Sequence, residues 1–418
     1  MFTVGQRVTL SISAIAFGGD GVARTDEGPV VFVPFTAIGD VIAADITEQR
    51  RNFYRAELRE IIQAGAGRTE PRCPHFGVCG GCAYQHLDYE TELAAKRQQF
   101  IDTIARLGHF ADFPAPAPAV AAPQPYGYRN KMRLESIRKV SNRGQAFVSY
   151  GYCQRDNQSY LIIKECPLAQ DCLNELIPKA VNSDWGRQNA KRPKPYPLTL
   201  RVTSSGESHF FYGRPPVNIP WLREQLAGEE FSVPLASFWQ VNPPVAEELL
   251  RTVADWTKDS ASRCLIDAYS GVGTFSIAMG SRFQYRVLIE SDDQAIAATA
   301  RNHEVRQLKC RFQTGSTESQ LPAVLAHINA RETLLVLDPP RTGCQPKVMD
   351  TLRKFPVAEI VYVSCNPATL ARDLRLLCQD GLYVPVKSAI FDMFPRTAHF
   401  ESAVLLRHAS APQDAPTA

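Results

Sequence analysis

Cys264-Leu265-Ile266-Asp267-Ala268-Tyr269-Ser270-Gly271-Val272-Gly273-Thr274-Phe275 runs from an apolar stretch into a glycine turn and then into a helix-forming segment. Strand-like runs recur at 264–269, 286–290, 333–338 and 359–365, with helical spacing between them. Strands that alternate with helices are joined by crossovers and therefore lie parallel. From about residue 226 the expected architecture is a doubly wound α/β sheet. Two last runs, 383–391 and 402–407, fit a terminal hairpin on that sheet.

The strand ends carry the chemistry. Glycines at 271 and 273 let a nucleotide-like ligand approach the backbone. Glu290, closing Val287-Leu288-Ile289-Glu290, can take both hydroxyls of a ribose. The turn lacks the third glycine of a pyrophosphate fingerprint, which favours an adenosyl ligand without a diphosphate: S-adenosylmethionine rather than NAD. Asp338 ends the strand of Leu335-Val336-Leu337-Asp338-Pro339-Pro340-Arg341. Cys365 ends that of Val361-Tyr362-Val363-Ser364-Cys365-Asn366-Pro367, where Asn366 can cap a helix over 367–377 and Pro367 can open it. A thiol facing a helix N-terminus meets partial positive charge, so thiolate and nucleophilic character are expected. If the final strand is antiparallel, Glu401 begins at the same edge and can accept a proton beside that nucleophile.

Upstream, 1–62 reads as short strands broken by turns (Val8–Ile12, Pro29–Pro34, Val41–Ile46), which suits a small barrel. Residues 63–225 form a second unit, with helical spacing over 90–108, a proline-rich stretch at 114–123 that reads as an extended linker, and strand-like runs beyond it. The catalytic unit is 226–418, and the 90–108 helix is expected to pack on it. Cys73-x5-Cys79-x2-Cys82 is a metal-binding spacing that zinc or an iron–sulfur cluster can satisfy. Cys166 is the chosen fourth ligand; Cys153 and Cys172 are rivals, and His75 can complete a zinc site.

The chain has 418 residues, enough for two or three domains, and a net charge of +3, too small by itself to imply a nucleic-acid partner. Local clusters point that way more strongly. These are Arg50, Arg51 and Arg55 with Phe53 and Tyr54; Arg129, Lys131 and Arg133 with Tyr126 and Tyr128; and Lys191, Arg192 and Lys194. Mixed cations and rings suit a phosphate backbone with stacked bases. No apolar run reaches the ~18 residues of a membrane span, and Met1–Arg7 lacks the order of a signal peptide. A cytoplasmic location is expected, with the 11 cysteines largely reduced.

Taken together, these motifs resemble the iron–sulfur type of RNA 5-methyluridine methyltransferase over nearly the whole length. That resemblance implies a TRAM barrel at the N-terminus, a central iron–sulfur domain, and a Rossmann-like class I methyltransferase domain. It implies a [4Fe–4S] cluster on Cys73, Cys79, Cys82 and Cys166. Tyr128-Arg129-Asn130-Lys131 matches the family's central motif, and Phe238-Trp239-Gln240-Val241-Asn242 matches a segment whose glutamine contacts the cofactor. Gln240, Tyr269, Thr274, Glu290, Ser316 and Asp338 are the implied adenosylmethionine contacts. Cys365 is the implied nucleophile and Glu401, closing Asp392-Met393-Phe394-Pro395-Arg396-Thr397-Ala398-His399-Phe400-Glu401, the implied base. Phe238 is a candidate to stack on a displaced base. Thr274 departs from the family's usual asparagine, and Arg396 stands where histidine or glutamine is usual.

The implied reaction is methylation of C5 of a uridine in RNA, 23S rRNA before tRNA, with no membrane and no obligate protein partner. Two other readings compete with it. One is a methyltransferase that does not use Cys365 and acts on another base or on protein. The other is a non-catalytic RNA-binding assembly factor.

Overall fold

The computed structural model describes residues 2–24, 29–140, 144, 146–215 and 221–410. The outermost ends of the expected terminal domains, Met1 and residues 411–418, lie outside the described residues.

Five strands open the chain: β1 (Arg7–Ile15), β2 (Gly21–Ala23), β3 (Val30–Val33), β4 (Val41–Gln49) and β5 (Phe53–Gln63). They close into a barrel in the order β1-β2-β3-β5-β4. Alternation selects the inside: Val8, Leu10 and Ile12 of β1 point inward with Ile42, Ala44 and Tyr54. Tyr54 was expected among surface aromatics, but it is a core residue of the barrel, 2% exposed. Every second residue of a barrel strand faces inward, and Tyr54 falls on that phase.

Helix α1 (Tyr89–Gly108) follows, capped by Asp88, whose side chain accepts from the Thr91 amide at 2.8 Å. A central sheet comes next, built from β6 (Lys131–Val140), β7 (Ala146–Cys153), β8 (Tyr160–Ile162), β9 (Leu198–Val202) and β10 (Ser208–Tyr212) in the order β10-β9-β6-β7-β8. Helices α2 (Asp171–Asn182) and α3 (Asp184–Ala190) belong to this layer. The hairpin β11 (Leu222–Leu226) and β12 (Glu229–Val233) leads to α4 (Pro243–Thr257).

The remainder is a seven-stranded sheet. Its strands are β13 (Cys264–Ala268), β14 (Tyr285–Glu290), β15 (Cys310–Thr314), β16 (Thr333–Leu337), β17 (Glu359–Ser364), β18 (Tyr383–Phe391) and β19 (Glu401–His408). Their order is β15-β14-β13-β16-β17-β19-β18. The first five are parallel, and the terminal pair is antiparallel. Helices α5 (Thr274–Ala278), α6 (Asp293–Glu304), α7 (Thr317–Leu325), α8 (Pro346–Lys354) and α9 (Pro367–Leu377) make the crossovers. Strands β16 and β17 are buried along their whole length, as central parallel strands covered on both faces must be.

Although α1 lies far upstream, it buries Phe100 and Ile104 in the same core as Leu370, Ala371 and Leu374 of α9. The proline-rich stretch is extended, as expected, but it is not a free linker. Val120 donates its amide to the Ile390 carbonyl at 2.8 Å and accepts from the Asp392 amide at 2.9 Å, so the stretch covers the edge of β18. An uncovered edge strand would present unpaired backbone groups. Among the described residues, no helix is long and apolar enough to cross a membrane.

Candidate active site

The turn after β13 is held in a shape that few residues adopt. Tyr269, Gly271 and Gly273 have φ of +64°, +55° and +87°. A Cβ on Gly273 would lie 2.5 Å from Cε1 of His303, so both the backbone and the space demand glycine. Thr274 follows as the first residue of α5. Glu290, ending β14, accepts the Gly271 amide at 2.8 Å on one carboxylate oxygen. Its other oxygen accepts the Ser291 and Asp292 amides at 2.7 and 2.8 Å. The next strand end brings Ser316 alongside: the Gly315 amide donates to the Glu290 carbonyl at 2.8 Å, and Ser316 opens α7 without using its side chain as a cap. Tyr269, Thr274, Glu290 and Ser316 therefore gather at the carboxyl ends of β13, β14 and β15. Gln240 arrives from elsewhere. Its carbonyl accepts from Asn130 Nδ2 at 2.9 Å, and its side chain bonds none of the described residues.

The second half of the site is set by strand register. Ser364 of β17 pairs with Ser402 of β19, and the Ser402 hydroxyl donates to the Ser364 carbonyl at 3.0 Å. One residue past that last pair stand Cys365 and Glu401, 36 positions apart in sequence, and the Glu401 carboxylate acts on the Cys365 thiol. Asp338, just past β16, completes the group, together with Arg341. Sequence reading quoted Arg341 but gave it no role. Its position three residues after Asp338, beyond two prolines that stop the strand, was the available signal.

Helix α9 begins as expected: Asn366 is the cap, its side chain accepting from the Ala368 amide at 3.1 Å, and Pro367 is the first helical residue. The expected thiolate is not what this environment favours. Burial first, and then the Glu401 carboxylate, push the Cys365 thiol up to about 12, against a smaller opposing effect of Arg341. Desolvation of the anion outweighs the helix terminus. Burial also raises Asp338, to about 7, and raises Glu401 well above the usual carboxylate range, with Asp338 adding like charge to Glu401. Oε2 of Glu401 is sealed from solvent without a hydrogen-bond partner. The two carboxyls thus hold a proton between them more readily than either would in water.

This has a consequence for stability. Asp338 carries a raised folded pKa against about 3.9 when unfolded, so the folded chain holds a proton that the unfolded chain has lost. Stability should fall as pH rises from about 4 through about 7. Asp338→Asn should flatten that slope and raise the unfolding temperature at pH 8, as followed by circular dichroism. An unchanged slope would show that Asp338 is not the proton holder.

The cysteines converge on a second cavity of about 280 Å³. Cys73, Cys79, Cys82 and Cys166 all line it, as do His75, Cys153 and Arg129. Cys172 does not; its thiol turns to Gln170 at 3.8 Å. The thiols of Cys73, Cys79 and Cys82 each respond to Cys166, and burial raises all three, Cys82 to about 12. Gln85, fully buried, donates to Cys82 Sγ at 3.2 Å and accepts the Cys73 amide at 2.9 Å. Among the described residues, no three Cys, His, Asp or Glu side chains close tightly enough on one point to hold a single metal ion. Arg129 presents to the same cavity a guanidinium whose Nε is sealed from solvent and unpartnered.

Arg129 and Tyr128 were expected in a surface cation–aromatic cluster. Instead Arg129 lines the thiol cavity, and Tyr128 is buried with its hydroxyl donating to the Pro395 carbonyl at 3.1 Å. Their segment lies where the central sheet meets the catalytic unit, so neither is free for RNA. Phe53 keeps a partly exposed ring with Arg55 over it at 5.8 Å, and Phe238 is 66% exposed.

The family described as tRNA (Uracil-5-)-methyltransferase matches residues 320–409, and the TRAM domain family matches residues 2–58. An RNA methyltransferase of Synechocystis sp. is 32% identical over 454 residues, covering 96% of each chain. Another, from Listeria monocytogenes, is 29% identical, covering 96% of this chain and 97% of its own. Among solved structures, the Pyrococcus abyssi tRNA (uracil-54, C5)-methyltransferase in complex with S-adenosyl-L-homocysteine superposes with a TM-score of 0.68. It is 24% identical and covers 96% of this chain and 100% of its own, a likeness of fold.

Proposed function

The chain belongs to the RNA uracil-5-methyltransferase family, enzymes that draw the methyl group from S-adenosylmethionine, and on that premise we propose that it methylates C5 of one uridine in 23S rRNA through a covalent adduct on Cys365. The observation that supports this reading is the β17–β19 register, whose last pair, Ser364 and Ser402, brings Cys365 and Glu401 to the same sheet edge.

C5 of uracil is a poor nucleophile. Sulfur of Cys365 bonds to C6, and the C5–C6 electron pair shifts toward the C4 carbonyl, making C5 enolate-like. C5 then takes the methyl carbon from the sulfonium, and S-adenosylhomocysteine leaves. Glu401 removes the C5 proton, the C5–C6 double bond re-forms, and the sulfur departs. The resting thiol is held protonated, so its proton is released to solvent as the sulfur closes on C6; Glu401 then enters the last step ionised, free to take the C5 proton. Proximity and a dry, oriented carboxylate are what the protein supplies. S-adenosylmethionine is a substrate consumed in each turnover. Tyr269, Thr274, Glu290, Ser316 and Asp338 line its place, and Gln240, on the loop between β12 and α4, is assigned to it as well.

The target base must leave its stack to reach this edge, at a cost of a few kcal/mol. Phe238, exposed and next to the Trp239–Asn242 segment, is suited to fill the space vacated. Phe238→Ala should raise the KM for RNA about tenfold, the loss of one stacking contact, with the KM for S-adenosylmethionine unchanged. An unaltered RNA KM would remove Phe238 from the interface.

We assign the thiol cavity to a [4Fe–4S] cluster on Cys73, Cys79, Cys82 and Cys166. What supports this reading is that the four thiols line one cavity, to which Arg129 presents positive charge through a guanidinium whose Nε has no partner. When bound, such a cluster would staple the cysteine segment to the central sheet; the methyl transfer itself calls for no electron. We propose a cytoplasmic location, where these thiols stay reduced.

The deciding experiment incubates the purified protein and S-adenosylmethionine with unmodified 23S rRNA and, separately, unmodified tRNA. 5-Methyluridine is then mapped by nuclease digestion and mass spectrometry. One methylated uridine in rRNA alone is expected. Methylation of tRNA alone would keep the chemistry and overturn the substrate. No 5-methyluridine in either would overturn the reaction.

A further inference from the structure

The segment that carries the base, residues 392–400, leaves the sheet after β18 and returns at Glu401. It must therefore be positioned by contacts outside the sheet. At its tip stands Arg396. Its backbone is in the left-handed region at φ +66°, a conformation that a bulky residue keeps only when its surroundings enforce it.

The surroundings are a dry ionic cluster. Arg396 donates its amide to Glu92 Oε1 at 2.7 Å, and its guanidinium lies 3.3 Å from Glu92 Oε2. Nη1 also donates to the Leu87 carbonyl at 2.7 Å. The guanidinium sits over the rings of Tyr89 and Tyr126 at 5.2 and 5.1 Å. Glu92 is also paired with Lys96 at 2.7 Å, and Lys96 reaches Asp392 at 2.7 Å. Glu92, Lys96 and Asp392 are 0% exposed and Arg396 is 5% exposed. Two cations thus balance two carboxylates out of contact with water, spanning α1 and both halves of the base-bearing segment. The Arg396 carbonyl in turn accepts the amides of Ala83 and Tyr84, the residues directly after Cys82.

We infer that Arg396 is a positioning residue for proton abstraction: its ion pair with Glu92 fixes the 392–400 segment on α1 and so fixes where Glu401 stands against C5. This rests on the covalent reading proposed above. A neutral residue at 396 beside an unchanged Glu92 leaves two carboxylates and one cation in a dry site. Such an imbalance is relieved by movement or by uptake of a proton or water. Replacing both partners by glutamine restores neutrality and leaves the Lys96–Asp392 pair intact.

The test follows turnover and the covalent protein–RNA intermediate together, in the full-length protein with its natural RNA. Arg396→Gln should lower turnover about 10- to 100-fold, the scale of a small displacement of a reacting group. The methylated adduct on Cys365 should accumulate, because the steps before proton removal are untouched. The double variant Glu92→Gln with Arg396→Gln should regain most of the lost turnover, which also guards against a simple failure to fold. Unchanged turnover in Arg396→Gln, or adduct and product falling in parallel, would overturn the inference. Glu401→Gln is run beside it as the control. If that variant traps adduct and Arg396→Gln does not, the inference alone fails. If neither traps adduct, the covalent reading fails and takes the inference with it.

Discussion

Cys365→Ala should abolish 5-methyluridine formation, a loss of about 10⁴-fold or more, while S-adenosylmethionine still binds. The reason lies in the order of events. Without sulfur at C6, C5 gains no electron density. Tyr269, Thr274, Glu290 and Ser316 sit at the ends of β13, β14 and β15, and neither they nor Gln240 and Asp338 belong to the strand of Cys365, so titration calorimetry with S-adenosylmethionine should give nearly the parent affinity. Alanine also removes a thiol that burial holds neutral, so no buried charge is left uncompensated and the fold should survive. Full methylation by this variant would mean that Cys365 is structural and that the reaction takes another route.

Glu401→Gln should produce the opposite picture on a gel: turnover falls by about 10³-fold or more, yet protein and RNA become covalently joined. Glutamine keeps the size and polarity of the side chain but cannot accept the C5 proton. General-base removal contributes on the order of 10²–10⁴-fold. The reaction then halts after methyl transfer, with the C6–S bond intact, and a denaturation-resistant complex should carry label from the methyl group. The double variant with Cys365→Ala should show no complex. A Glu401→Gln protein that turns over normally would hand the base role to Asp338, the other carboxyl of the pair.

Much of the fold was legible in the sequence because it rests on local periodicity. Alternating strand and helix patterns between 264 and 377 give four of the five parallel strands to within a residue or two; β15 at the sheet edge, only half-buried, lacked the apolar run that marks the others. Asn366 and Pro367 mark the start of α9 because capping and a fixed proline φ act within one turn of the chain. The catalytic edge was legible for the same reason: a residue that ends a parallel strand lands at the carboxyl edge whatever packs around it.

What the sequence could not settle concerns burial and distant partners. Tyr54 and Tyr128 share a composition with RNA-stacking tyrosines, yet one fills the barrel and the other donates to Pro395. The protonation of Cys365 is set by how much water its pocket excludes and by a carboxylate brought alongside through strand pairing, so the local helix terminus was the wrong guide. Lys96 and Asp392 are 296 residues apart and meet at 2.7 Å. Dihedral preference and side-chain period made four of the parallel strands, the glycine turn and the strand-end positions of Asp338 and Cys365 readable from the chain alone. Which thiols share one cavity, which groups keep their protons and how the base-bearing segment is anchored come from the folded packing, because desolvation and ion pairing depend on neighbours that the chain brings together from far away.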